Sequence, residues 1–269
     1  MSDLVLKDIM HFNLAQTLDC GQAFRWNESE NTDGKTYTGI AHGRRLELTY
    51  DGENLTIKNC TQQEFDAIWK TYFDLQRDYA QLHKYFSQEE NLKKALAFSP
   101  GLRIMRQDAW ETLISFILSQ NTNIPRIKKM ISTLCESFGE KLPCSGYAFP
   151  TPEKLAKLEV DDLAHVKSGY RASYIIDAAR QVASKKVDLS ALESASTQDV
   201  KQALLGIRGV GPKVADCVLL YGFGRVEICP VDVWIKRIMD ELYPNGFPET
   251  LADLAGIAQL FLFQYVRNR

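Results

Sequence analysis

Residues 204–233 read LLGIRGVGPKVADCVLLYGFGRVEICPVDV, and the fold follows from how this stretch must turn. Three glycines fall within six residues, at Gly206, Gly209 and Gly211, followed by Pro212, Lys213 and an apolar run. The pattern predicts helix, tight hairpin, helix. Gly209 and Gly211 permit a turn whose backbone N–H groups point outward, as a phosphate oxygen requires. Pro212 suits the first turn of the next helix, where its missing N–H costs nothing. Lys213 then stands at a helix N-terminus, where the macrodipole disfavours an ammonium and favours the free, nucleophilic amine. The run closes on Cys229-Pro230-Val231-Asp232-Val233, which reads as a buried segment. A carboxylate there is costly to bury unpaired. Asp232 therefore either caps the helix expected from Val233 to Tyr243 or takes part in chemistry.

Outside this stretch, composition sets bounds. A chain of 269 residues, 45% hydrophobic and 25% charged, accommodates one large or two modest globular domains. No signal peptide is evident and no apolar run nears the roughly 20 residues of a membrane span, so a cytoplasmic protein is expected. Cys20, Cys60, Cys135, Cys144, Cys217 and Cys229 contain no CxxC pair, which argues for reduced thiols rather than a zinc site, an iron–sulfur cluster or a disulfide framework. The net charge of −2 means that any nucleic-acid binding must come from a local patch.

Up to about residue 60 the pattern is strand-like. Thr36 to Ala41 reads as a strand turned by His42-Gly43; Leu46, Leu48 and Tyr50 alternate with polar residues; Asp51-Gly52 turns the chain into Leu55 and Ile57. Within this meander Gly21-Gln22-Ala23-Phe24-Arg25-Trp26 is either a turn bearing core aromatics or something more specific. From Thr61 the period becomes helical, through Phe65, Trp69, Tyr72 and Phe73, and Ser99-Pro100-Gly101 interrupts it. Two domains are expected, 1–99 and 100–269. The second is a succession of helices: one opened by Asp108 and Glu111, one closed by Gly139, one opened by Thr151-Pro152, one from about Thr197, the hairpin pair and a C-terminal helix. Gln120-Asn121-Thr122-Asn123, with Arg126 just beyond, is a solvated connector or a DNA-facing one. Tyr170-Arg171 after Gly169 could wedge between bases or form a surface turn.

Lys213 and Asp232 together suggest chemistry on a sugar, in which an amine attacks C1′ of a nucleotide, a carboxylate stabilises the developing positive charge, and the resulting Schiff base opens a β-elimination route. Cys217 follows Lys213 by four residues and shares its helix face; Gln259 and Phe263 have the same spacing. A flat base held between Cys217 and Phe263 with Gln259 on its edge is an economical arrangement.

At this point the chain resembles a known family. Gly21 to Trp26, Leu102 to Asp108, Ser119 to Ile124, Gly169 to Ala172, Gly209 to Cys217 and Pro230 to Val233 are similar, in order, to the 8-oxoguanine glycosylase/lyases of eukaryotic type, within the helix-hairpin-helix superfamily of DNA glycosylases. The resemblance implies an α+β fold: a twisted antiparallel sheet domain, TATA-binding-like, joined to an all-helical glycosylase domain with the active site at the junction. It implies Lys213 as nucleophile and Asp232 as catalytic carboxylate. It places Gly21, Cys217, Gln259 and Phe263 around the base, Gly21 accepting from the N7–H that guanine lacks. Asn121 would fill the vacated space, Tyr170 would wedge, Arg126 and Arg171 would read an opposite cytosine, and Gly209, Gly211 and Val214 would bind phosphate. It further implies a monomer acting on duplex DNA containing 8-oxoguanine, in the nucleoid or nucleus, without cofactor or catalytic metal, although hairpin carbonyls could hold a structural cation. Two departures stand out: Trp234 where the family has a histidine near a phosphate, and Thr122 within a three-asparagine run. The competing readings are an alkylated-base glycosylase, which generally lacks a lysine at the position of Lys213, and a non-catalytic helix-hairpin-helix module, which leaves Lys213 and Asp232 without a task.

Overall fold

The computed structural model describes residues 3–30, 32–33, 35–143 and 145–268; Cys144 lies outside them. Five strands come first: β1 Leu4–Leu6, β2 Trp26–Glu28, β3 Thr36–Ala41, β4 Arg44–Tyr50 and β5 Leu55–Ile57, with helix α1, Leu14–Leu18, between the first two. They make one sheet of order β1-β5-β4-β3-β2, in which β5 pairs antiparallel with β1 and with β4. Leu46, Leu48, Tyr50, Leu55 and Ile57 are buried while Glu47, Thr49 and Thr56 keep partial exposure, the period-2 pattern of a sheet with one covered face. His42 and Gly43 both have positive φ, 49° and 69°, as a two-residue hairpin turn of matching twist requires.

The rest is helical. A segment at 62–72 contains a π-helical stretch, Phe65–Trp69, and is followed by α2 Tyr79–Phe86, α3 Glu90–Phe98, α4 Ala109–Leu118, α5 Ile124–Phe138, α6 Arg171–Ala183, α7 Thr197–Leu205, α8 Pro212–Tyr221, α9 Val233–Leu242 and α10 Ala255–Asn268, with short helical turns between them. The helix boundaries are capped. Asp108 accepts from the Glu111 amide at the start of α4, Ser196 from the Asp199 amide at the start of α7, and Gly139 ends α5.

The chain forms two compact units. One takes residues up to Thr38, Leu46–Arg106 and everything from Gly224 on; the other takes Gly39–Arg45 and Gln107–Phe223. This differs from the consecutive division at residue 100 expected from the sequence, because α10 returns to α2 and α3, with Phe98 and Tyr265 rings 5.9 Å apart and Phe86 edge-on to Phe261 at 6.2 Å. In the first unit Trp26, Trp69, Tyr72 and Phe73 form an aromatic core, and Trp26 donates to the Tyr72 hydroxyl at 2.9 Å. In the second, α4 is buried at every position but Glu111 and packs against α6 and α8. A helix buried on nearly every face belongs at such a centre.

Candidate active site

In the second unit, Gly206 ends α7 and the chain reverses into α8. Gly209 adopts φ 81°, and a Cβ there would come 2.3 Å from the Tyr174 ring, so both conformation and packing demand glycine. Its carbonyl accepts from Gln120 Nε2 at 3.2 Å. Gly211 differs from expectation. Its φ is −90° and a Cβ would meet nothing, so neither backbone nor packing requires glycine at the cap of α8. Among the described residues no side chain caps α8, whose first turn includes Val214.

Lys213 is half-buried on the first turn of α8, its Nζ 5.1 Å from the centroid of the Phe116 ring on α4. Cys217 is buried one turn further on, and Tyr221, another turn on, stacks on Phe116 at 5.5 Å and 11°. The i, i+4, i+8 spacing puts all three on one helix face.

The connector between α4 and α5 faces the turn before α6. Asn121 is exposed with φ 49°, and its Nδ2 donates to the Tyr170 hydroxyl at 3.2 Å. Tyr170 is 49% exposed, its ring covered on one side by the Arg171 guanidinium at 4.6 Å. Arg171 itself is buried: Nε donates to Gln120 O at 2.9 Å, Nη1 to Ser168 O at 3.1 Å, and Nη2 to the Gln120 and Asn121 carbonyls. Of the two arginines expected to read an opposite base, only Arg126 is exposed.

In the first unit, Gly21 has φ 91° and its neighbour Gln22 is 1% exposed. Gln22 Nε2 donates to the carbonyls of Thr17 and Arg103, both at 2.8 Å, and Oε1 accepts from the Met105 amide at 2.9 Å. Arg103 is anchored in turn on the carbonyls of Met10, His11 and Asp74. The left-handed Gly21 is thereby pinned to buried backbone. Burial pushes the Cys20 thiol up to about 12, which keeps it protonated beside this turn.

Asp232 caps α9, accepting from the Ile235 amide at 2.9 Å. The expectation of a buried segment around it fails: Val231 is 45% and Val233 75% exposed, because the inward positions of α9 go to Ile235 and Ile238. Trp234 lies on this exposed edge with the Arg237 guanidinium 5.0 Å from its ring. On α10, Gln259 is 5% exposed and its Oε1 has no hydrogen-bond partner among the described residues; Phe263 is half-buried with Arg267 5.7 Å from its ring. A buried acceptor left unpaired costs about 1–3 kcal/mol.

The sequence reading passed over Phe116 and Gln22. Phe116 is one apolar residue among many in its helix, and nothing local marks it. Gln22 carried a signal, a glutamine set between a glycine and core aromatics.

Residues 4–113 match the family described as 8-oxoguanine DNA glycosylase, N-terminal domain, and residues 114–250 match the family described as HhH-GPD superfamily base excision DNA repair protein. The chain belongs to the HhH-GPD superfamily. Among relatives of this base-excision repair family, an N-glycosylase/DNA lyase of Saccharomyces cerevisiae is 36% identical over 267 aligned residues, covering 86% of this chain and 68% of that protein. Among solved structures, MBOgg1 in complex with a low-affinity DNA ligand is 45% identical with a TM-score of 0.94, covering 99% of this chain and 96% of that one. The 8-oxoguanine glycosylase/lyase of Clostridium acetobutylicum, in complex with double-stranded DNA containing cytosine opposite 8-oxoG, is 36% identical with a TM-score of 0.92, covering 99% and 95%. The sheet domain followed by a helical HhH-GPD domain is the family's architecture, and the family places this chain among the DNA glycosylase/lyases. No described helix is long and apolar enough to cross a membrane.

Proposed function

We propose that this chain excises 8-oxoguanine from duplex DNA through an imine formed at Lys213 and then cleaves the strand by β-elimination. The observation that carries the reading is Lys213 itself, a half-buried lysine on the first, uncapped turn of α8 behind a glycine hairpin. The amine attacks C1′ of the flipped nucleotide; the C1′–N9 bond breaks and the base leaves with the electron pair, taking up a proton. Asp232 stabilises the positive charge developing on the sugar, while its cap to Ile235 fixes the carboxylate's direction. Transfer of the proton on nitrogen to the ring oxygen opens the sugar and leaves the imine. Loss of a C2′ proton then breaks the C3′–O3′ bond.

The Gly21 carbonyl, held by the Gln22 tether, accepts from the base N7–H. Gln259 uses its unpartnered Oε1 on the base edge, and Cys217 and Phe263 supply the flanking surfaces. Asn121 fills the gap left in the duplex and Tyr170 wedges. Arg126 reads an opposite cytosine, and Arg171 can join it only by releasing the carbonyls it now holds. The amides at Gly209, Gly211 and Val214 take phosphate. Relatives described as DNA-3-methyladenine glycosylases are more distant, 26% identical in the Bacillus subtilis case. Borohydride trapping on duplexes with 8-oxoguanine opposite each base tests the proposal: Lys213→Gln abolishes the covalent complex, and undiminished trapping by that variant would refute it. Asp232→Asn slows base release with DNA binding retained.

A further inference from the structure

Lys213 carries its amine on four rotatable bonds, and a nucleophile so free reaches its attack geometry rarely. Among the described residues a ring restrains it. Phe116, 4% exposed, presents one ring to the amine at 5.1 Å and is stacked on Tyr221 at 5.5 Å with the planes 11° apart. Tyr221 belongs to the same helix as Lys213, eight residues on, so the ring of α4 is set against a single face of α8 that bears the amine, Cys217 and Tyr221 in succession. The electron-rich face of a benzene ring attracts an ammonium, and burial of the ring strengthens that attraction.

We propose that Phe116 is a positioning residue for the reactive amine: its ring face holds the Lys213 ammonium in place in the resting enzyme, so that loss of its proton to solvent leaves the neutral amine where attack begins, and Tyr221 holds the plane of that ring. The role rests on the reading of Lys213 as nucleophile. It makes no contact with the nucleotide necessary, so its loss slows imine formation without weakening DNA binding. Two properties of the ring are separable, its volume and the charge on its face, and only the second distinguishes positioning from ordinary core packing.

The test uses the whole protein and duplex DNA carrying an abasic site, on which borohydride trapping under single turnover follows imine formation apart from base recognition. Phe116→Leu keeps an apolar core and is expected to slow trapping about 10-fold with DNA affinity unchanged. Phe116→Tyr, which keeps the ring face, restores it. Should Phe116→Leu fold poorly, replacement of Phe116 by pentafluorophenylalanine preserves the shape and reverses the charge on the face; the same slowing is expected. Trapping at the wild-type rate with the fluorinated ring would overturn the proposal. Lys213→Gln runs alongside: if it still traps, the nucleophile is elsewhere and the underlying reading fails; if it does not trap while the Phe116 variants react normally, only the positioning role fails.

Discussion

Asn121 and Tyr170, the two side chains assigned to the space that a flipped nucleotide leaves behind, hold each other through a hydrogen bond of 3.2 Å from Asn121 Nδ2 to the Tyr170 hydroxyl. An exposed bond of this kind contributes about 0.5–1.5 kcal/mol, whereas an aromatic stacked on a base contributes about 1–3 kcal/mol. The ring therefore outweighs the hydroxyl. Tyr170→Phe should change affinity for lesion-containing duplex only a few-fold, and Tyr170→Ala should lower it about 10- to 100-fold, as fluorescence anisotropy would show. Equal losses in both variants would mean that the hydroxyl, and hence its bond to Asn121, is what matters.

Arg171 and Arg126 should separate cleanly. Arg171 spends its guanidinium on the carbonyls of Ser168, Gln120 and Asn121, so Arg171→Ala frees the connector whatever base stands opposite. We expect excision to fall with every opposite base and the melting temperature to drop. Arg126 is exposed, and Arg126→Ala should leave stability alone while reducing the preference for cytosine. The reverse assignment of these phenotypes would show that Arg171 leaves its carbonyls on binding DNA.

The two hairpin glycines should also part company. Gly209→Ala forces a Cβ into the Tyr174 ring and a side chain into φ 81°, where the left-handed conformation alone costs about 1–2 kcal/mol, so the free protein should lose stability. At Gly211 a Cβ meets nothing. Gly211→Ala should unfold like the parent, or slightly later through lower entropy of the unfolded chain, yet bind DNA less tightly if, as proposed, a phosphate approaches the backbone there. Denaturant melts and anisotropy titrations together decide this.

His83 gives the fold an acid limit. Burial, with the nearby His11 and Arg103, lowers it from the usual histidine value to about 4, and its Nε2 finds no partner among the described residues. The unfolded chain then binds a proton between pH 6.5 and 4 that the folded protein refuses, so stability falls as pH drops through that window and is unaffected above it. His83→Phe should flatten this part of the pH–stability curve. A curve equally steep in the variant would assign acid sensitivity to other groups.

What the sequence makes legible is local. The change from period 2 at 46–57 to period 3.6 beyond Thr61, the cap at Asp108, the helix start at Thr197, and the one-face spacing of Lys213 and Cys217 all reappear in the structure, because each depends on residues a few positions apart. What is absent from the sequence depends on neighbours brought from afar. The return of α10 to α3 redraws the compact units, and Phe116 meets Lys213 from another helix. Residue type also misleads at a helix start. Val231 and Val233 look buried, but the inward positions belong to Ile235 and Ile238; Arg171 looks available, but carbonyls consume it.

Gln259 tests whether the base pocket is maintained at the expense of the fold. Its Oε1 is buried without a donor, and the protein carries that cost of about 1–3 kcal/mol in the absence of DNA. Gln259→Met removes the unpaired acceptor while keeping length and flexibility, and should raise stability by about 1 kcal/mol. The same change deletes a hydrogen bond to the base edge, and a site built around such a bond discriminates far more strongly than one built on shape. The variant should therefore melt later and excise 8-oxoguanine more slowly, while imine trapping on an abasic site, where no base remains to be held, stays at the parental rate. If stability and excision fell together, Gln259 would be a packing residue, and its oxygen would find its partner within the protein rather than on the base.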